Sequence, residues 1–200
     1  MIREKLEAHA ATCRKAGGYE RPRWEGGSLA YAGIVGADLA YVALVGADLR
    51  RAKLTRANLT GADLRWACLD GADLTGADFT SAKFTSADLA NASLTGADLT
   101  ATLFRNADLN GADLTGARLD EGVACGRAIG GLVGGYRWFA VRLEDGNVLL
   151  QYGCERRLLV WWLAQGPDLC VRYGDLPELW ERGPMVAIAA AQALASTSSP

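Results

Sequence analysis

The chain has 200 residues and a formal net charge of −2, and no run of one charge sign extends far enough to suggest a nucleic-acid-binding tail. This length allows one or two domains with a proper core. Five cysteines, an odd number without CxxC spacing, argue against a disulfide framework and a zinc site. No signal-peptide pattern and no apolar run long enough for a membrane span occurs, so we expect a cytoplasmic protein without a cofactor, metal or membrane association.

Residues 1–26 predict a helix followed by a connector. Apolar residues recur at helical spacing near the start of the chain, at Ile2, Leu6, Ala10 and Cys13. Gly17-Gly18 should end this helix. His9, the single histidine, has no partner group at a clear spacing, so a surface or cap role is favoured over a ligand or base. We expect residues 1–26 to form an N-terminal cap, with Trp24 as a plug against the segment that begins at residue 27.

Residues 27–121 contain a large apolar residue at every fifth position, nineteen times without an insertion. Fifteen of these nineteen central residues are Leu. Ala stands two positions before the centre in sixteen of the nineteen units. The consensus reads Ala-Asp-Leu-Thr-Gly. We predict that the central residues form the structural core, represented by Leu39, Leu59, Leu74, Phe79, Phe84, Leu99, Phe104 and Leu114.

A period of five fits neither a straight helix nor a straight strand. On an α-helix successive centres would step about 140° around the axis and leave no apolar stripe. In a strand they would alternate between faces, because five is odd. The chain must therefore turn a corner in every unit, with Ala and the centre inward and Gly favoured at the corner. Such a chain is a β-solenoid.

These consecutive units resemble the pentapeptide repeat family over about half of the chain. The resemblance implies a bacterial or phage protein with an all-β solenoid, a right-handed quadrilateral β-helix with four units per coil. Phe84 and Phe104, twenty residues apart, should then stack on each other. The strand edges at both ends of the solenoid need caps.

Four units per coil sort the outward residues onto four walls. One, the acidic wall, is expected to carry Asp38, Asp78, Asp98, Asp120 and Glu121. The next, the candidate wall, is expected to carry Arg65, Trp66, Lys83, Leu103 and Arg105. Solvation is the simpler explanation of the acidic wall. The candidate wall instead exposes apolar groups beside arginine, as interface hot spots do, and we interpret it as the interaction surface.

The first coil departs from the consensus with apolar outward residues, at Tyr31, Val35, Tyr41, Ala43 and Val45. Exposed apolar clusters usually mark a covered surface or an interface. We favour coverage by the N-terminal helix over a partner site.

The remaining residues predict a glycine-rich exit at 122–135, an α+β capping module at 136–195 and a flexible tail at 196–200. The module should contain a hairpin of Tyr136–Leu143 and Asn147–Cys154, a helix at Leu158–Gln165, and a final helix from Pro184 to Ala195. It is similar to C-terminal modules of phage and prophage pentapeptide repeat proteins. The Ala-rich final helix suggests burial in the module or in a homodimer.

No arrangement of residues supports catalysis. There is one histidine and no nucleophile elbow, the repeat carboxylates share one environment, and strand-end packing is favoured for Cys154 despite its cationic neighbours. We therefore predict a non-enzymatic protein–protein interaction scaffold. The alternative is a DNA mimic that modulates or protects DNA gyrase or another topoisomerase, as the resemblance implies. The repeat segment carries only −4 and one basic wall, which counts against mimicry; direct nucleic-acid binding is least favoured.

Overall fold

A computed structural model describes residues 1–16, 22–25, 27–120, 122–124, 128–133, 136–145, 147–152, 155–158, 163–164, 188 and 191–192. Helix α1 spans Ile2–Ala16. The strands are β1 (Arg118–Leu119), β2 (Gly122–Val123), β3 (Ile129–Val133), β4 (Tyr136–Arg142), β5 (Val148–Tyr152) and β6 (Glu155–Leu158). Between α1 and β1 the chain forms a solenoid of very short parallel bridges.

The bridges repeat every twenty residues. Each residue that precedes a centre pairs in parallel with its counterpart twenty positions on, from Gly33 with Lys53 to Asp98 with Arg118. The amide N–H of each centre from Leu29 to Leu99 donates to a carbonyl of the next coil, as from Leu59 to Asp78 at 2.7 Å. Twenty residues make four five-residue units, so the solenoid is a quadrilateral β-helix whose hydrogen bonds run along its axis.

Every unit ends in a tight corner. The Ala N–H donates to the carbonyl of the preceding centre, as from Ala62 to Leu59 at 3.0 Å, and closes a four-residue turn. The third residue of this turn has a positive φ at each corner from Tyr31 to Gly116. Glycine adopts that geometry freely, but at ten of these corners another residue does so. The positive φ is typical of a type II turn.

The aspartate of the consensus has a structural function at these corners. Its carboxylate accepts the backbone N–H two residues further on, as Asp78 Oδ1 does from Thr80 at 2.9 Å. Asn58 replaces aspartate with the same contacts, because its Oδ1 accepts the Thr60 N–H at 3.1 Å. The consensus aspartates therefore stabilise the corners from the outside of the rod, in addition to keeping the rod solvated.

The solenoid interior holds the central residues. All eight core residues named from the sequence are buried, with exposed fractions of 2% or less. Phe79 and Phe84 meet edge to face at 5.0 Å between ring centroids. Phe84 and Phe104 lie parallel within 3° at 5.4 Å, as the twenty-residue spacing predicts. Thr102, at an Ala position, is buried, and its hydroxyl donates to the Phe79 carbonyl at 3.2 Å.

Helix α1 lies against the first coil, with Leu6 and Ala10 in the solenoid core. Carbonyl groups at this end have no preceding coil to donate to them. Arg3 Nη1 donates to Val35 at 3.0 Å, and Arg14 Nη1 donates to Ala40 at 3.1 Å.

Trp24 extends the repeat by one unit beyond the sequence prediction. Its amide donates to the Ala43 carbonyl at 3.1 Å, the bond that a centre five residues before Leu29 would make. The Trp24 ring packs on the core and on the edge of His9, with 5.5 Å between ring centroids. The sequence identified Trp24 as a plug but missed its backbone register.

The prediction that α1 covers the apolar side of the first coil is wrong for most of that surface. Ala43 is buried, but Tyr31 is 70% exposed, Val35 50% and Tyr41 42%. The helix lies on the end of the rod, and these side chains point from its sides.

The C-terminal strands form one antiparallel sheet in the order β3-β4-β5-β6. The predicted hairpin is present as β4 and β5. Phe139 of β4 continues the ring stack, edge to face with Phe104 at 5.9 Å between centroids. Val141, Leu143 and Leu149 belong to the same core as the solenoid.

Two features of this region differ from the sequence predictions. The exit at 122–135 contributes β2 and β3, and β3 pairs with β4 along its whole length. Its Gly130-Gly131 weakens the strand signal. Leu158 ends strand β6 and does not begin a helix; the charged residues of β6 suit an edge strand.

Several predictions lie outside the described residues: Cys154, most of the helix at 158–165, and the tail at 196–200. Within the final predicted helix, residues 188 and 191–192 are helical, and Ile188 and Ala191 are buried. No helix among the described residues is long and apolar enough to cross a membrane.

Candidate functional site

The candidate wall is built on the centres Leu44, Leu64, Phe84 and Phe104. Parallel bridges join Ala43 to Asp63, Asp63 to Lys83 and Lys83 to Leu103, so these residues form one column along the axis. Arg65 and Arg105 occupy the neighbouring corner column, two coils apart. At about 4.8 Å per coil this corresponds to about 10 Å along the rod.

Trp66 is the least expected residue of this wall. It is 55% exposed and has a φ of 59°, in the left-handed region. A bulky side chain there costs about 1–2 kcal/mol, which small or turn-forming residues such as Gly46 and Asn106 avoid or reduce at equivalent corners. Trp66 contributes little to the core in return.

Arg65 supports the exposed ring. Its guanidinium carbon lies 5.5 Å from the Trp66 ring centroid, within cation–π range. The same guanidinium binds Asp63 through two hydrogen bonds of 2.7 Å each. Burial acts to raise the pKa of Asp63, but the hydrogen bonds from Arg65 outweigh it and lower that pKa below its usual range. The pair holds the arginine in place beside the tryptophan.

The remaining residues of the wall are also placed by the structure. Leu103 is 55% exposed, although Thr102 and Phe104 on either side of it are buried. Lys83 is half-buried beside Leu103, and Arg105 is exposed. The structure thus forms two pairs, Arg65 with Trp66 and Lys83 with Leu103, and places Arg105 on the corner column of Arg65. Because Asp63 neutralises Arg65, the positive charge of the wall rests on Lys83 and Arg105.

The acidic wall is less acidic than its sequence suggests. Asp38 forms an ion pair with Arg14 at 3.4 Å, and Asp98 lies 3.9 Å from Arg118. Asp120 Oδ1 accepts the Ala101 N–H at 2.7 Å. Glu121 lies outside the described residues.

Three of the acidic-wall carboxylates also have local corner contacts, and the first is Asp38, which accepts the Ala40 N–H at 3.3 Å. Asp78 accepts the Thr80 N–H, and Asp98 accepts the Thr100 N–H at 3.0 Å. A hydrogen bond from the Thr100 side chain, with help from its backbone N–H and Arg118, lowers the pKa of Asp98. These contacts explain the aspartates as corner-closing residues.

Sorting charges by wall misses a cluster of cations in the second coil: Arg51, Lys53 and Arg56. All three are exposed. Counting charge coil by coil would have revealed them, because the second coil carries most of the basic residues of the repeat segment. Across the part of the chain that the structure describes, no group of three or more potential metal ligands occurs.

The family model for pentapeptide repeats, in 8 copies, matches residues 34–71, 57–96 and 82–120. No curated protein matches the chain. A pentapeptide repeat protein from the cyanobacterium Cyanothece 51142 has a similar solved structure, with 28% identity over 44% of this chain and 60% of that one, and a TM-score of 0.44. This chain therefore spans less than two thirds of that protein.

Two further structures are similar in part. A pentapeptide repeat protein of the Arabidopsis thaliana thylakoid lumen shares 28% identity over 52% of this chain and 73% of its own, with a TM-score of 0.35. The plasmid-mediated fluoroquinolone resistance protein QnrB1 shares 18% identity over 48% of this chain and 67% of its own, with a TM-score of 0.23.

Proposed function

The chain belongs to the pentapeptide repeat family through residues 34–120, and on that basis we propose that it is a non-enzymatic scaffold that binds a protein partner through the candidate wall. The exposed Trp66 carries this proposal. Its φ of 59° and its 55% exposure make it unfavourable for folding and available for contact. Tryptophan, tyrosine and arginine are the residues most enriched at the energetic centres of protein interfaces.

The rigidity of the rod favours such a role. The Trp66 amide donates to the Thr85 carbonyl of the next coil at 3.1 Å, so the corner is anchored in the ladder. Arg65 is held by its two hydrogen bonds to Asp63. Binding then orders few additional groups, which lowers its entropic cost.

The proposal extends to the two ends of the rod. Helix α1 and the sheet β3–β6 serve as caps that prevent edge-to-edge association. Leu6 at one end and Phe139 at the other support this, because both lie in the solenoid core. The free thiols of Cys13 and Cys68 are compatible with the cytoplasmic location expected from the sequence. We also propose a homodimer through the C-terminal residues, on the basis of the Ala-rich sequence of the final predicted helix.

Affinity capture with a matched pair of variants tests the scaffold function. Trp66→Asn with Leu103→Thr removes both apolar groups, and Asn suits the corner because Asn91 and Asn106 already adopt a φ of 56° there. Tyr31→Asn is the control, since it removes an exposed aromatic residue at a positive-φ corner of another wall. We expect wild type and the control to capture the same partner. The affinity of the purified partner for the double variant should be at least about tenfold lower than for wild type.

Two results would reject this function. One is a partner whose dissociation constant is the same for the double variant and wild type. The other is the absence of any partner captured by both wild type and the control. Circular dichroism must show that all three proteins are folded to the same extent.

DNA mimicry directed at gyrase is the second candidate function. The column Asp38–Asn58–Asp78–Asp98 places side chains at single-coil spacing along one wall, which favours it. The ion pairs with Arg14 and Arg118 count against it. In a gyrase supercoiling assay, a mimic would inhibit in a salt-sensitive way, and joint replacement of the three aspartates by Asn would abolish inhibition. Inhibition unchanged by that replacement would remove the hypothesis.

A further inference from the structure

The charge of the rod is ordered along its axis as well as around it. Five of the eight basic residues of the 27–121 segment fall between 50 and 65, in the second coil. The next stretch, residues 67–120, contains eight acidic and three basic residues. The second coil is therefore a basic band above a mostly acidic shaft.

The cations of this band differ in their pairing. Arg50 binds Asp48 through two hydrogen bonds of 2.8 Å, and Arg65 binds Asp63 in the same way at 2.7 Å. Neither Arg51 nor Arg56 has a carboxylate within ion-pair distance among the residues that the structure describes. Two of the arginines are thus compensated locally, and two present a full charge to solvent.

Arg51, Lys53 and Arg56 frame a single wall, the one built on Ile34, Leu54 and Leu74. Lys53 lies in the middle column, bridged to Gly33 above and Asp73 below. Arg51 and Arg56 occupy the corners on either side. We call these three residues the basic cluster.

Glycines of the third coil accommodate the side chains of the two arginines. Arg51 Cγ lies 3.4 Å from where a Cβ on Gly71 would be, and Arg56 Cγ lies 3.5 Å from the corresponding point at Gly76. Their aliphatic stems therefore lie over bare corners. Gly33 leaves the wall flat on the other side of Lys53. In a four-walled coil this wall is opposite the candidate wall.

We propose that the basic cluster is a second docking site, which binds an acidic segment of a protein partner on the wall opposite the candidate wall. Arginine guanidinium groups form strong charge-assisted hydrogen bonds with carboxylates. With two opposed sites the rod bridges two partners. This inference extends the scaffold function, but it rests on different residues and does not require the candidate wall to bind.

The surroundings of the cluster favour an acidic peptide over a nucleic acid. The cluster occupies one coil, about 5 Å of the axis. Asp70 and Asp73 lie one coil further along the same side. A phosphate backbone that continued along the rod would meet these carboxylates, and nucleic-acid affinity depends on neutralising several phosphates in succession. A short run of glutamate or aspartate side chains can cross the cluster within this coil and does not have to continue along the rod past Asp70 and Asp73.

Fluorescence anisotropy with a fluorescein-labelled deca-glutamate peptide tests the site on the full-length protein. The cluster variant is Arg51→Glu, Lys53→Glu and Arg56→Glu. The control, Lys5→Glu, Lys15→Glu and Arg118→Glu, makes the same change in net charge at exposed residues outside both proposed docking sites. We expect salt-sensitive binding by wild type, weakened at least about tenfold by the cluster variant and less than about threefold by the control. A triple variant with Arg51→Gln, Lys53→Gln and Arg56→Gln should also weaken peptide binding. It provides the test if charge reversal impairs folding.

Three outcomes would overturn the proposal. They are equal loss in the cluster and control variants, no peptide binding at low salt, and tighter binding of a ten-residue oligothymidine than of the peptide. The double variant Trp66→Asn with Leu103→Thr should bind the peptide as wild type does. Failure of one docking site is therefore distinguishable from failure of the other.

Discussion

The ring of Tyr41 lies over Gly61, its counterpart one coil further along the rod. A Cβ on Gly61 would come within 2.6 Å of Tyr41 Cε1, closer than atoms can pack. The same pairing of a larger corner residue with a glycine twenty positions later holds for Asn91 and Gly111, where the Asn91 Oδ1 distance would be 2.8 Å. A Cβ at these corners would require the Tyr41 ring or the Asn91 side chain to move, so glycine there provides space as well as its backbone conformation.

Substituting Gly61 by alanine should reveal both requirements. Gly61 has a φ of +62° and the Tyr41 ring above it, whereas Gly96 has a φ of +65° and nothing within 4 Å. We expect Gly96→Ala to lose about 1 kcal/mol of unfolding free energy from the backbone alone. Gly61→Ala should lose at least about 2 kcal/mol of unfolding free energy. When Gly61→Ala is made in a Tyr41→Ala background, most of the additional loss relative to Gly96→Ala should disappear. Urea denaturation measures these differences, and equal losses for the two glycines would contradict the steric account.

Phe84 should be the most sensitive position of the shaft, because it contacts Phe79 on one side and Phe104 on the other. Phe84→Ala should cost about 3–5 kcal/mol. Phe84→Asp should abolish cooperative unfolding, since a charge would be buried without a partner. Lys83→Ala, which changes the neighbouring outward position, is the control and should melt within a few degrees of wild type. A folded Phe84→Asp protein would show that the register is wrong.

Acid should weaken the rod through its corner aspartates. The pKa of Asp98 is lowered by the Thr100 side chain, so Asp98 adds stability above its unfolded pKa of about 3.9. That contribution is lost as pH falls through the lower, native-state pKa. Asn58 keeps the corner contacts without a titrating group, accepting from the Thr60 hydroxyl at 2.8 Å. Asp98→Asn should therefore narrow the difference in Tm between pH 7 and about pH 3, and an unchanged difference would contradict this role.

Undocking α1 should open the first coil to other chains. Leu6 is fully buried in the core, whereas its neighbour Lys5 is exposed. We expect Leu6→Glu to leave Val35 and Ala40 carbonyls without their arginine donors and to cause concentration-dependent self-association. Sedimentation velocity at several concentrations measures this, with Lys5→Glu as the control. Concentration-independent sedimentation identical to wild type would show that the edge needs no cover.

The fold was predictable because one chemical constraint repeats without interruption. A single apolar centre in five residues, bounded by Ala, leaves only a chain that turns at every unit. Trp24 was missed as a centre because the other centres are Leu, Ile or Phe, although its amide makes the same hydrogen bond to the next coil as theirs. Strand β3 was missed because Gly130-Gly131 lowers strand propensity. Strand β6 was missed because Glu155-Arg156-Arg157 lacks the β-rich composition from which the hairpin was predicted, and Leu158 was assigned to a following helix.

The candidate surface was predictable only in part. Register alone places Trp66 and Leu103 outside, since neither stands at an inward position. It does not show which charges cancel. The pairing of Arg65 with Asp63 depends on side-chain reach within a corner, and the pairing of Arg14 with Asp38 depends on where α1 rests. Cations such as Arg51, which has no ion pair among the described residues, become visible only after the paired cations are known.

Because the bridges join residues twenty positions apart, the sequence position of a residue determines the direction in which it projects from the rod. Loss or duplication of one five-residue unit would leave the core filled but rotate everything beyond it by a quarter turn. If that unit lay between them, Trp66 and Leu103 would point in different directions. Only the gain or loss of four units, one whole coil, would change the length of the rod and keep every later residue on its original wall. Genes with near-identical short repeats are prone to slippage, and in this protein most such events would preserve folding while scrambling recognition.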